Sequence, residues 1–163
     1  MLDESSLPPV PTQGRLAGID FGTVRIGVAL CDPSQTWVNP WEIYTRKTPQ
    51  LDKAFFQQLV REERLVGFVI GLPVHASGAE SQKSQEARRF GTWLSEGTGL
   101  PIAYYDERYS SAEAEHLMSE AGFTKKGRKE RIDKLAAQII LSSYLQSGRT
   151  SSAPMPLDDN PAS

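Results

Sequence analysis

Residues 65–73, LVGFVIGLP, constrain the fold of this 163-residue chain more than any other stretch. They form a short, unbroken apolar run of the fully buried type, the pattern of a central strand covered on both faces. On either side the spacing turns helical. Thr48-Pro49 opens QLDKAFFQQLVREER, where proline suits a first turn and Leu51, Ala54, Phe55 and Leu59 fall on one side. A second helix is expected over roughly 79–96, carrying Ala87, Phe90, Trp93 and Leu94. LPIAYYDER then reads as another strand. Strands that alternate with helices imply parallel pairing, with the helices packed on the sheet.

The first third of the chain is different. RLAGID and IGVALCD read as strands joined by the glycine-containing turn FGTVR, a hairpin. TWVNPWEIYTR is a third strand, in which Pro40 predicts an edge or a bulge. At the other end, SSAEAEHLMSEAGF predicts a helix with a serine cap and Gly122 at its close. A basic loop follows, then a last helix, RIDKLAAQIILSSYL, with Ile132, Leu135, Ala136, Ile139 and Ile140 as its buried stripe. The expected order is β-β-β-α-β-α-β-α-α, an α/β fold with a mixed sheet and helices on its faces. Residues 1–13 and 148–163, rich in Pro, Ser and acids, are expected to be flexible tails around one domain over 14–147.

Composition narrows the class. The chain is 39% hydrophobic and 23% charged, ordinary for a globular domain. Its single cysteine, Cys31, has no internal disulfide partner and reads as a small buried hydrophobe in a reducing cytosol. The opening MLDESSLPPVPTQG is acidic and Pro-rich, unlike a signal peptide, and no apolar run approaches the ~20 residues a membrane span needs. A cytoplasmic protein is expected. The net charge of −2 does not favour nucleic acid, yet residues 125–134, KKGRKERIDK, set six Lys/Arg against two acids. Such a run is either a solvated loop or a phosphate contact.

Ligands of open α/β sheets bind beyond the carboxyl ends of the parallel strands. The first strand ends at Asp20, which shares one side with Leu16 and Gly18. The strand YYDER ends at Asp106 and Glu107, and Gly71 near the end of the central strand allows close backbone approach. An aspartate at a strand tip often only forms a turn. Asp133, just after the basic run, is explained by a first helical turn, where it offsets the helix dipole. Spacing does not show whether Asp20, Glu107 and Asp133 meet. If they do, their mutual repulsion calls for a cation, and oxygen ligands suit Mg²⁺ or Mn²⁺. Tyr104 and Tyr105 alternate on a strand, so at least one belongs to the core. Tyr109 is not assigned a role, Trp37 and Trp41 are expected to pack, and His75 reads as polar surface.

Four blocks carry a resemblance: GIDFGTVRIGVALCD, VIGLPVHASGAES, YYDERYSSAEAEHLM and RIDKLAAQIILSSYL. In this order they resemble the motifs of the YqgF/RuvX family, whose bacterial members carry the names pre-16S rRNA nuclease and Holliday junction resolvase. The match spans about residues 14–146. The resemblance implies an RNase H-like fold and an acidic triad on Asp20, Glu107 and Asp133, which would act as catalytic residues and hold Mg²⁺ or Mn²⁺. It implies phosphodiester hydrolysis by an endonuclease, with structured RNA (precursor 16S rRNA, on or off the ribosomal particle) as the substrate and branched DNA as the alternative. A binding factor without turnover is the reading from another class. Arg25, Arg108, Lys125, Lys126, Arg128, Lys129 and Arg131 would hold the substrate backbone. Two departures stand out: Val24 occupies the family's usual lysine position, and Ser110-Ser111 stands where the family often has Thr-Thr or Thr-Ser but keeps the hydroxyls. A monomer or weak homodimer is expected. GIDFGTVRIG also looks like the first phosphate loop of actin-like and sugar-kinase ATPases, but those need a second domain and a second glycine-rich loop, for which this chain is too short.

Overall fold

The computed structural model describes residues 8–73, 81–106 and 125–147, with residues 125–134 described by their backbone alone. Five strands form one sheet: β1 (Arg15–Asp20), β2 (Arg25–Cys31), β3 (Val38–Thr45), β4 (Leu65–Leu72) and β5 (Ile102–Asp106). Three described helices accompany them: α1 (Pro49–Glu63), α2 (Gln82–Thr98) and α3 (Lys125–Gln146). The strand order is β3-β2-β1-β4-β5. β1, β2 and β3 pair antiparallel, whereas β1–β4 and β4–β5 are parallel. The mixed sheet follows from the sequence order: short turns link the first three strands, and helical crossovers link the rest. The helix expected over SSAEAEHLMSEAGF and the residue His75 lie outside the described residues.

Alternation along each strand divides the core in two. Ala17, Ile19, Val28, Phe56, Phe68, Ile70 and Phe90 fill the side covered by α1 and α2. Leu16, Cys31, Val69, Ala103, Ile140, Leu141 and Tyr144 fill the side covered by α3. Each fully buried large side chain contributes about 1.5–3 kcal/mol. β4 is buried along nearly its whole length, as its apolar run predicts. Cys31 is buried, and its Sγ accepts the Leu16 N–H at 3.1 Å. No helix among the described residues is long and apolar enough to cross a membrane.

Helix ends follow capping chemistry. The Thr48 hydroxyl accepts the Leu51 N–H, and Ser81 forms a reciprocal pair with Ser84 that sets the start of α2 at Gln82 rather than near residue 79. Gly99, at φ +76°, ends α2.

Three expectations need correction. On α1 the buried positions are Asp52, Phe56 and Leu59, while Leu51 is exposed, because the carboxylate of Asp52 finds donors inside and turns the helix toward them. On α3 the buried apolar residues are Ala137, Ile139, Ile140, Leu141 and Tyr144, so Ile139 and Ile140 are buried as expected. Leu135 and Ala136 are only half-buried, and the Ile132 side chain lies outside the described residues. Trp37 and Trp41 do not pack: they are 72% and 49% exposed. β3 is an edge strand, and Trp41 is the extra residue at the register shift between Pro40 and Glu42, where it stays largely exposed. The edge and bulge are those predicted from Pro40.

Candidate active site

The site is built where β1, β4 and β5 end together. Asp20 closes β1 and pairs with Gly27 of β2. It shares the α3 side with Leu16, which lies in that core, and with Gly18. Ile19 is in register with Ile70, and Ile70 with Tyr104, so Asp20 is level with Gly71 and Tyr105. Gly71 contributes no side chain between the first strand and the last, which lie about 10 Å apart across two strand spacings.

α3 crosses this face closely. A β-carbon on Gly18 would stand 2.7 Å from the Ala137 carbonyl oxygen and 2.7 Å from Leu141 Cβ, so only glycine admits the helix here. Leu16, one pleat earlier, packs in the cluster that holds Ile140, Leu141 and Tyr144. The helix therefore runs antiparallel to β1. Two residues of strand advance about 6.6 Å and one helical turn about 5.4 Å. One turn before Ala137 is position 133, which comes level with Asp20 on the same side of the sheet.

This register changes the meaning of Asp133. The helix begins at Lys125, so Asp133 lies eight residues inside it and not in its first turn. The helix-dipole explanation falls away, since the effect fades within one turn of the end. The basic stretch expected as a loop is helical for a simple reason: Lys, Arg and Glu are strong helix formers, and Gly127 alone does not interrupt them. The backbone of Lys125, Lys126, Arg128, Lys129 and Arg131 thus forms the first two turns of α3, which lead into position 133.

Arg25 opens β2 on the same side as Asp20, two residues beyond Gly27, and is exposed. It lies at the same end of the sheet as the acid. Val24 is 66% exposed on the β1–β2 turn. β5 ends at Asp106, which pairs with Leu72; Glu107, Arg108, Tyr109 and Ser110-Ser111 lie outside the described residues. Among the described residues no three His, Cys, Asp or Glu side chains form a cluster. Tyr104 is core, and its hydroxyl donates to the Arg88 carbonyl at 3.2 Å.

One set of residues gives no sequence signal. The turn after Asp20 is tight, with a β-carbon on Gly22 only 2.3 Å from the Arg25 carbonyl oxygen. The Arg46 guanidinium covers the ring of Phe21, 5.3 Å from its centroid, and is held by Asp52 at 3.4 Å. Burial pushes the Asp52 carboxyl upward, but donation from the Lys47 N–H, the Tyr44 hydroxyl and Arg46 outweighs it and holds the group below its ordinary range. An aspartate early in a helix reads as a surface residue, so periodicity passes over this one.

Known proteins match this chain closely. The family model described as RuvX, Holliday junction resolvase, matches residues 14–147. A Rhodopirellula baltica protein named "Putative pre-16S rRNA nuclease" is 45% identical over 139 residues, covering 85% of this chain and 80% of that protein. A Koribacter versatilis protein of the same name is 35% identical over 85% of this chain and 90% of its own length. Among solved structures, Thermus thermophilus RuvC in complex with a Holliday junction substrate superposes with a TM-score of 0.52 at 13% identity, over 84% of this chain and 98% of that one. Another Thermus thermophilus RuvC structure gives 0.50, also at 13% identity, over 88% of this chain and 99% of that one. At such identity the likeness concerns the fold, which is RNase H-like as the resemblance implies and agrees with the element order. With its fold, its four motif blocks and its close relatives in agreement, the chain belongs to the RuvX family of nucleases.

Proposed function

We propose that this protein is a metal-dependent endonuclease that processes the 5′ end of precursor 16S rRNA. The observation that carries the reading is the register of α3 on β1, in which Gly18 meets Ala137 and Leu141 and position 133 comes level with Asp20. Family membership and the names of the relatives supply the substrate class.

The donor set suits a hard divalent cation. Asp20, Glu107 and Asp133 offer only carboxylate oxygens, which favour Mg²⁺ or Mn²⁺ over softer metals. When bound, the cation supplies Lewis acidity, easing ionisation of a water and stabilising charge on the leaving oxygen. The chain's own groups do the rest. Asp20 is fixed at a strand tip and Asp133 within a helix, so both carboxylates are carried on rigid elements and lose little entropy when they converge. Arg25 holds a substrate phosphate at the strand ends. Lys125, Lys126, Arg128, Lys129 and Arg131, joined by Arg108, hold the flanking backbone. The glycine at position 71 leaves room for a phosphate to approach the sheet.

The test is a Mn²⁺ titration followed calorimetrically. The parent protein binds the ion, and Asp20→Asn and Asp133→Asn each weaken binding by about tenfold or more. Undiminished binding in both variants would overturn the metal site. The family's description as a Holliday junction resolvase favours a second substrate, the four-way DNA junction. Cutting such a junction needs two active sites, so a stable two-fold dimer would support it.

A further inference from the structure

From α1 to the end of β1 runs a chain of contacts that the proposed chemistry leaves unexplained. Asp52 is 1% exposed, and its carboxylate accepts from the Tyr44 hydroxyl at 2.7 Å, the Lys47 N–H at 2.9 Å and Arg46 Nε at 3.4 Å. A buried carboxylate is costly unless donors surround it, and three do so here. Its anchored partner reaches both ends of the turn that follows Asp20. The Arg46 guanidinium stands 5.3 Å from the centroid of Phe21 and 5.9 Å from that of Phe90, and the two rings pack at 4.8 Å. The Arg46 backbone N–H donates to the Val24 carbonyl at 2.9 Å.

Thr23 and Val24 are exposed and Gly22 is half-buried, and among the described residues Phe21 is the turn's substantial apolar anchor. A planar guanidinium stacks on such a ring as an ammonium does not. We propose that Arg46, aimed by Asp52, is a positioning residue: it fixes the Phe21–Val24 turn and thereby the direction of the Asp20 carboxylate. The inference rests on the reading of Asp20 as a cation ligand. Arg46 touches neither cation nor substrate in this role.

Amide hydrogen exchange and Mn²⁺ titration on the same variants test it. Arg46 is partly exposed, so Arg46→Met is expected to fold, and Asp52→Asn removes the anchor charge at constant shape. In both, exchange of the amides from residue 21 to 25 and of Arg46 quickens, while Phe68 and Ile70 in β4 exchange as in the parent. Mn²⁺ affinity falls by about tenfold. Arg46→Lys keeps the ion pair but not the guanidinium over the two rings and recovers only part of the affinity. Unchanged exchange in the turn for Arg46→Met, or equal acceleration in turn and β4 alike, would overturn the proposal. If Asp20→Asn binds Mn²⁺ as the parent does, the metal site is wrong, and the exchange pattern alone decides the positioning role.

Discussion

Gly18 of β1 and Ala137 of α3 meet backbone to backbone, with no room for a β-carbon between them. That contact sets the depth and register at which the last helix crosses the sheet, and so the level along β1 at which the backbone of position 133 stands. Gly18→Val places a branched side chain against the Ala137 carbonyl and Leu141. The expected cost is about 1–3 kcal/mol of stability in urea denaturation. Mn²⁺ affinity should fall with it, because α3 must lift away from Asp20.

Phe56 is wholly buried and meets Tyr44, Phe55, Phe68 and Phe90 through their rings. Phe56→Ala should cost about 3–5 kcal/mol. Trp37, by contrast, is 72% exposed, and Trp37→Ser should change stability by no more than about 0.5 kcal/mol. Paired urea melts of the two variants check both numbers.

The Tyr44–Asp52 pair gives stability a window in pH. Burial, with the Asp52 carboxylate beside it, pushes the Tyr44 hydroxyl from 10 up to about 12. A raised value means that its contribution is complete below pH 10 and is lost as pH rises through about 12. Asp52 is held below its ordinary value of 3.8, so its contribution is present above that value and is lost as pH falls through the lowered one. Tyr44→Phe should flatten the alkaline loss while costing about 1.5–3 kcal/mol near neutrality, the worth of a hydrogen bond to a charged group. Urea melts at pH 7 and at pH 11 separate the two effects.

The basic first turns of α3 should reveal themselves through salt. Replacing Lys126 and Lys129 by alanine is expected to weaken RNA binding for all sequences alike. Each phosphate that goes unneutralised in the variant should reduce the slope of log affinity against log salt by about 0.7–0.9. A slope equal to that of the parent would return these residues to a solvated surface.

Much of this is legible in the sequence, and what is not has physical reasons. LVGFVIGLP announces β4 because burial on both faces leaves no polar alternation to misread. Asp20 can be placed at a strand tip because strand period and glycine-bounded turns are local signals. The level of position 133 relative to Asp20 is not a local property; it depends on Gly18 admitting α3, and 113 residues of chain separate one position from the other. The sequence underestimates the extent of α3 because charged residues fit helix and loop alike, and only packing of the following stripe decides. Asp52 escapes a periodicity argument because its burial depends on Tyr44 and Arg46. Size alone assigns Trp37 and Trp41 to the core, whereas Trp37 lies just before β3 and Trp41 on that edge strand, and both are exposed.

The most direct measurement is cleavage of a 5′-extended 16S rRNA precursor fragment beside a four-way DNA junction. Each reaction is run with Mn²⁺, with Mg²⁺ and with chelator, using the parent protein and Asp20→Asn. Metal-dependent cutting of the RNA by the parent, absent in the variant and with chelator, is the predicted result. No cutting of either substrate by folded parent protein would contradict the enzyme reading, and cutting of the junction alone would contradict the RNA substrate.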